Sequence, residues 1–283
     1  MNESTLVGLR KALTVFVDAD QHQSQEHIKP LHKHIGCRLV IEGGFHPDMI
    51  MPRPPLRVET VGRGANQPHR LVVDPDAARS GEQTVLGGLK TKSVDVVVST
   101  RDTGPSLAVS VKGSLNAFRN LTNRMEEAVG DCTNLHLSYP TLVYGFLHII
   151  RANREGDVER RNDIAIHANG EVAEDIKRYH SAMSRLTNRS DLRNEASRYE
   201  AIALALIETQ EPNRGTIMDG FPKAESTLRF ERFFDALYRS YDLRFVYAAP
   251  AMRRKTERLE WAPDSPALTQ PNIHDFQPRI THG

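Results

Sequence analysis

The chain has 283 residues, of which 39% are hydrophobic and 26% are charged, and its formal net charge is +1. This composition is typical of a folded globular protein and argues against a largely disordered chain. No apolar run approaches the ~20 residues of a membrane helix, and no signal-peptide pattern is found. Because Cys37 and Cys132 show no metal-ligand spacing, we expect a reducing, cytoplasmic environment. A near-neutral charge neither favours nor excludes nucleic-acid binding.

The first part of the chain combines helical patterns with a proline-rich segment. Apolar side chains recur at helical spacing over 4–17 and over 24–35, which predicts two helices. Pro30 lies inside the second pattern and weakens that prediction. Several prolines follow, so we expect residues 1–60 to form a helical segment and an extended connection. The polar, glycine-containing stretch 61–83 is predicted to be a loop.

A β-hairpin followed by a helix is the most informative pattern in the chain. The segments KSVDVVVST and SLAVSVKG are rich in strand-forming residues, and the turn signal RDTGP separates them. A helix is expected to begin at Ser114, which can cap it, and a buried strand is expected at 139–150.

The second half of the chain alternates helical and strand-like segments. Helices are predicted at 171–187, 190–208 and 224–240, and a late strand at 242–250. Residues 262–283 are predicted to be a proline-rich arm without a core of its own. The order of elements predicts an α/β protein whose mixed β-sheet is flanked by helices, with one main domain over 84–261.

Acidic and basic side chains meet on the predicted hairpin. Because side chains alternate along a strand, Asp95 and Lys112 are expected on one side of two adjacent strands. The following helix carries Glu126 and Glu127 back over the strand ends. Mg²⁺ prefers oxygen ligands, and a lysine beside it can orient an attacking water and stabilise negative charge on a phosphate. This set of groups therefore indicates phosphodiester hydrolysis.

An aspartate followed on the next strand by an acid-x-Lys motif resembles the PD-(D/E)XK nuclease superfamily. Here the motif reads Ser110-Val111-Lys112, so a serine stands where the second acid is expected. One branch of type II restriction endonucleases has the same serine, and a helix glutamate fourteen residues after the lysine replaces the missing metal ligand. Glu126 lies at that offset. The hairpin is tighter than in that branch, and the branch's charged base-reading cluster is missing, so no target sequence is inferred.

The resemblance implies a restriction-endonuclease-like fold and a role for each of these residues. Asp95 and Glu126 would ligate Mg²⁺, which Mn²⁺ could replace, and Lys112 would activate water. Ser110 would pack beside the ligands. Members of the superfamily commonly carry a further glutamate on an N-terminal helix, and Glu42 is the best candidate, although a structural role is favoured for it.

Other polar residues are candidates for DNA contact. Arg119, Asn123 and Arg124 lie on the polar side of the helix after the hairpin, and Lys90 and Lys92 precede its first strand. For the two lysines a solvated pair is the favoured interpretation. A basic cluster at 253–258 is more simply a charged surface than a contact to a DNA backbone. Five histidines are better explained by a solvated helix face than by a zinc site: His22, His27, His32, His34 and His46.

These observations predict an endodeoxyribonuclease that acts on DNA in restriction or phage defence. Cutting both strands is most simply done by two copies of one site, so we expect a homodimer or a higher even oligomer. The apolar stretch 230–241 is a candidate interface, although core burial explains it equally well. A catalytically silent DNA-binding or assembly subunit and a DNA-repair nuclease are the alternatives. The sequence identifies no partner from a defence operon.

Overall fold

A computed structural model describes residues 6–20, 26–60 and 68–281 of the chain. The strands are β1 (Ile50–Met51), β2 (Leu56–Thr60), β3 (His69–Val73), β4 (Gln83–Leu86), β5 (Thr91–Val94), β6 (Val96–Thr100), β7 (Gly104–Ser114), β8 (Val143–Arg151) and β9 (Ala201–Ile207). The helices are α1 (Leu9–Val17), α2 (Lys29–Ile41), α3 (Leu121–Ser138), α4 (Glu174–Met183), α5 (Phe230–Tyr241) and α6 (Arg253–Thr256). Over these described ranges, every helix is too short or too polar to cross a membrane.

The main sheet has five strands in the order β1-β6-β7-β8-β9. Strands β1, β6 and β7 are antiparallel neighbours, whereas β7, β8 and β9 are parallel. Two further hairpins, β2–β3 and β4–β5, stand beside this sheet. The fold is therefore α/β with a mixed sheet flanked by helices in one domain, which confirms the predicted fold class.

Helices cover both faces of the main sheet. Successive side chains of a strand point to opposite faces, so each strand contributes to both layers. On one face, β6 and β7 contribute Val96, Val98, Leu107, Val109 and Val111 to a core shared with α1, α2 and α5. On the other face, Val97 and Ala108 join a second core with α3 and α4. The end of β7 therefore lies between two helical layers.

The predicted hairpin is confirmed, and Val96 pairs with Val109 across β6 and β7. The predicted strand at 139–150 is confirmed as β8. The helix predicted from Ser114 begins later, at Leu121. Ser114 is the last residue of β7, and Ala117 then adopts a left-handed φ of 55° that turns the chain into α3.

Two predictions in the second half of the chain are wrong. The expected helix 190–208 contains strand β9, whose residues are all buried between the two helical layers. Such a strand shows an unbroken apolar run, which its spacing cannot distinguish from a buried helix. The expected strand 242–250 contains a π-helical turn, Asp242–Tyr247, that directly continues α5.

The structure adds detail to three further predicted segments. The predicted loop 61–83 contains β3, which pairs along its whole length with β2, although 61–67 lie outside the described residues. Within 262–281, Ala267 and Phe276 are buried in the same core as Trp261, so this segment packs against the domain. Helix α2 begins at Lys29 and places Pro30 in its first turn, where a missing N–H costs little.

The aromatic stretch proposed as an interface is buried within one chain. The side chains of α5 that point to the sheet pack against β8 and β9, and they are Phe230, Phe233, Phe234, Leu237 and Tyr241. Core burial therefore accounts for this stretch.

Candidate active site

Asp95 lies between β5 and β6, where its carboxylate is fixed by the neighbouring strand. The backbone N–H of Val111 donates to Asp95 Oδ2 at 2.7 Å. Only 14% of the Asp95 side chain is exposed. Burial raises the pKa of this carboxyl, although the hydrogen bond from Val111 and the charge of Lys112 act against that rise. The carboxylate is thus held at the end of the hairpin without full compensation for its burial.

Lys112 follows on β7, and its ammonium lies 3.5 Å from Glu127 Oε1. Arg124 contacts the other oxygen of the same carboxylate at 3.1 Å. Partial burial acts to raise the pKa of Glu127, but Lys112 and Arg124 lower it overall. Since 28% of the Lys112 side chain is exposed, its ammonium remains accessible from solvent.

The structure places Glu127, and not Glu126, beside Lys112. Glu126 is exposed, and within the described ranges it has no hydrogen-bond or ion-pair partner. Successive helix residues differ by about 100° in direction, so only one of the two glutamates can face β7. Lys112 therefore pairs with Glu127, and the metal-ligand role of Glu126 stays a prediction.

Ser110 is buried beside Asp95, as the packing role predicted for it requires. Its hydroxyl lies 3.0 Å from the hydroxyl of Tyr144, and a hydrogen bond from Ser110 lowers the pKa of Asp95. On the next strand, His148 is fully buried and contacts Ser114 Oγ at 2.9 Å and Tyr179 OH at 2.6 Å. Burial lowers the pKa of His148 to about 3, so this imidazole is neutral.

His32 and Glu82 complete a group that sequence reasoning missed. His32 Nε2 lies 3.7 Å from Asp95 Oδ1, and ligand atoms of His32, Glu82 and Asp95 all lie within 4.8 Å of one another. Within the described ranges, the buried Nε2 has no hydrogen-bond partner. Burial lowers the pKa of His32 to about 4. The group lies on the α2 side of Asp95, whereas Lys112 and Glu127 lie on the α3 side.

The prediction of a solvated histidine face is wrong for His32 and His34, which are both buried. A signal was present, because Ile28, Leu31, His32 and Ile35 follow the spacing of one buried helix stripe. His34 contacts the Val7 carbonyl oxygen at 2.9 Å. His22 lies outside the described residues, and neither His27 nor His46 belongs to the group around Asp95.

Glu42 lies at the far end of α2 and away from Asp95. Its carboxylate accepts from Arg38 Nε at 2.7 Å and from the Gln277 backbone N–H at 3.0 Å. Ten residues separate it from His32, which is about 15 Å along a helix. Burial raises the pKa of Glu42. The favoured structural role for Glu42 agrees with these contacts.

The candidate DNA-contacting residues have different surroundings. Arg119, Asn123 and Arg124 are exposed at the start of α3, near Lys112. Lys92 forms an ion pair with Asp131 of α3 and is only 18% exposed. Lys90 is exposed, and its backbone is bonded to the Asn134 side chain. Lys92 is therefore held by an internal partner, whereas the other four remain accessible.

No protein-family model, curated protein or solved structure matched the chain.

Proposed function

We propose that the chain is a Mg²⁺-dependent endodeoxyribonuclease whose site is built around Asp95 and Lys112. The observation that carries the proposal is the bond from the Val111 N–H to Asp95 Oδ2, at 2.7 Å. It joins the aspartate to the residue directly before Lys112, so that carboxylate and ammonium share one end of the hairpin. Two antiparallel strands that bring these residues together, followed by a helix, also agree with the resemblance to PD-(D/E)XK nucleases.

The donor chemistry around Asp95 fits a divalent cation. Among the described residues, no lysine or arginine forms an ion pair with Asp95, and its nearest titratable neighbours are the imidazole of His32 and the carboxylate of Glu82. A buried carboxylate without a cation is costly, and Mg²⁺ binds through carboxylate oxygens. When bound, such an ion acidifies water and neutralises charge on a phosphate. Asp95 would hold it.

Lys112 is placed to orient the attacking water and to stabilise negative charge on the scissile phosphate. Glu127 holds the Lys112 side chain from α3 at 3.5 Å, which makes Glu127 a positioning residue. Arg119, Asn123 and Arg124 supply accessible donors for phosphate contacts on the same side. We propose a role in restriction or phage defence, in the cytoplasm, with two copies of the chain cutting a duplex.

A catalytically silent DNA-binding subunit is the competing function, and one observation favours it. Glu126 points to solvent while Ser110 stands at the acid position, so only one carboxylate of the predicted pair of ligands is at the site. Such a subunit would bind DNA and leave plasmids intact.

The deciding experiment is plasmid cleavage by the purified chain with Mg²⁺, with Mn²⁺ and with EDTA. Cleavage should require the metal, and Lys112→Ala should lower its rate by about 100- to 1000-fold, because a group that stabilises the transition state is lost. Lys223→Ala, at an exposed lysine, serves as the matched control and should cut normally. Undiminished cleavage in EDTA, or by Lys112→Ala, would contradict the proposal.

A further inference from the structure

We infer that His32, Glu82 and Asp95 form a binding site for a divalent transition-metal ion, on the α2 side of Asp95. The inference rests on the proposed function only for the use of the ion in DNA cleavage. Binding is inferred from three ligand atoms that lie within 4.8 Å of one another and from the buried Nε2 of His32, which has no hydrogen-bond partner among the described residues.

The two oxygens of Asp95 have separate surroundings. Oδ2 accepts the hydrogen bond from the Val111 N–H at 2.7 Å, so its direction is set by β7. Oδ1 is then directed towards His32 Nε2, 3.7 Å away. Ligand atoms that share one cation at about 2.1 Å lie about 3 to 4 Å apart. The spacing of Oδ1 and Nε2 already falls in that range.

The His32 imidazole points to a ligand independently of the carboxylates. Its side chain is 6% exposed, and Nε2 has no hydrogen-bond partner among the described residues. Buried polar atoms are almost always bonded, and those that are not call for an explanation such as an ion. A cation between Nε2 and Oδ1 satisfies both atoms at once.

Glu82 comes from the segment that precedes β4, and it is exposed. The three ligands therefore belong to three different segments of the chain, and one of them faces solvent. With three protein ligands, of which Glu82 faces solvent, the solvent side of the ion would be open to water or a phosphate oxygen, as in catalytic metal sites. Lys112 contacts Glu127 of α3 at 3.5 Å, so its ammonium has a partner outside the three ligands.

The ligand set predicts which ion is preferred. Mg²⁺ favours oxygen ligands alone, whereas an imidazole nitrogen suits Mn²⁺, Co²⁺ and Zn²⁺. One imidazole with two carboxylates should therefore bind Mn²⁺ more tightly than Mg²⁺. Mg²⁺ should displace Mn²⁺ only at a large excess.

The test measures Mn²⁺ binding to the full chain by the loss of the free-ion signal in electron paramagnetic resonance. Wild type should bind Mn²⁺, and both His32→Asn and Glu82→Gln should weaken binding by at least about tenfold. Glu82 is exposed, so Glu82→Gln tests the site even if His32→Asn does not fold. Glu171→Gln, at another exposed glutamate, and Glu127→Gln, on the Lys112 side, should bind Mn²⁺ as wild type does.

Absence of Mn²⁺ binding in wild type, or unchanged binding by Glu82→Gln, would overturn the inference. A loss of binding in Glu127→Gln equal to that in Glu82→Gln would place the ion on the α3 side and overturn it as well. Mn²⁺ binding without plasmid cleavage would support this site and reject the nuclease. Metal-dependent cleavage that survives Glu82→Gln with unchanged Mn²⁺ binding would keep the nuclease and reject this site.

Discussion

Two buried carboxylates, Glu200 beside β9 and Asp95 beside β6, have very different surroundings. The Glu200 side chain is fully buried and ion-paired with Arg189 at 3.3 Å and with Arg244 at 2.7 Å. It also accepts from the Tyr144 N–H at 2.6 Å. Asp95 has the hydrogen bonds from Val111 and Ser110 and the His32 imidazole 3.7 Å away, but no lysine or arginine is ion-paired with it in the described ranges.

The difference separates a carboxylate that holds the fold together from one that is available for binding. Around Glu200, two guanidinium groups and a backbone donor compensate for lost hydration, and removing any member leaves a buried charge. Around Asp95 the compensation is incomplete, which raises its pKa. Incomplete compensation at a buried acid is typical of functional sites.

The largest predicted effect on stability tests this contrast directly. Glu200→Gln should lower the free energy of unfolding by about 3–5 kcal/mol, since it leaves Arg189 and Arg244 without their anion. Asp95→Asn should leave it unchanged or raise it, because a poorly compensated charge is removed. Urea denaturation of both variants measures the difference. Equal losses would mean that Asp95 is as structural as Glu200.

A second prediction concerns the His32 imidazole beside Asp95 and the pH dependence of stability that it causes. Burial lowers the pKa of His32 from about 6.5 in the unfolded chain to about 4 in the fold. The unfolded state therefore binds more protons between these values, and stability falls as pH falls through this window. Each such imidazole contributes about 1.4 kcal/mol per pH unit.

His34, with a pKa lowered to about 4, and His148, lowered to about 3, act in the same direction. His32→Asn should remove the contribution of His32 to the fall of stability with falling pH. His274→Asn, at a histidine 74% exposed, should leave the pH dependence of stability unchanged. Denaturation midpoints at pH 7, 6 and 5 provide the comparison. If stability depends on pH equally in His32→Asn and in wild type, the pKa of His32 is the same in the fold and in the unfolded chain.

The smallest predicted effect concerns the α3 side of the site. Glu127→Gln should slow plasmid cleavage about tenfold, because Lys112 loses the group that positions it. Glu126→Gln should cut at the wild-type rate. Stability should change by at most about 1 kcal/mol in either variant, since both side chains are partly or fully exposed. A greater loss of cleavage activity in Glu126→Gln than in Glu127→Gln would support the metal-ligand role that the sequence predicts for Glu126.

The hairpin at the centre of the molecule could be predicted because its signals are local. Alternating apolar residues and the turn RDTGP define β6 and β7, and their register alone brings Asp95 close to Lys112. Strand β9 could not be predicted in this way. AIALALI is apolar throughout, and only its place between two helical layers makes it a strand.

The remaining parts of the site depend on tertiary structure. Which glutamate of α3 faces β7 depends on where the helix begins, and Ala117 shifts that point to Leu121. Spacing from Lys112 alone therefore selected Glu126. His32 meets Asp95 because α2 packs on the sheet, a contact between segments far apart in the sequence. The spacing of apolar residues in α2 indicates that His32 is buried, but it does not indicate that His32 contacts Asp95.

Residues 261–281 contact segments of the chain that lie more than 200 residues away in the sequence. Trp261 Nε1 donates to the Val40 carbonyl at 3.0 Å, and Asp275 Oδ2 accepts from the Leu9 N–H at 3.1 Å across 266 residues. Contacts of such high sequence separation carry a large cost in loop-closure entropy, which the packing of the segment must offset. Helices α1 and α2 therefore owe part of their packing to residues far along the sequence. Because His32 lies on α2, a truncation that removes residues 261–281 should disturb the position of His32 beside Asp95.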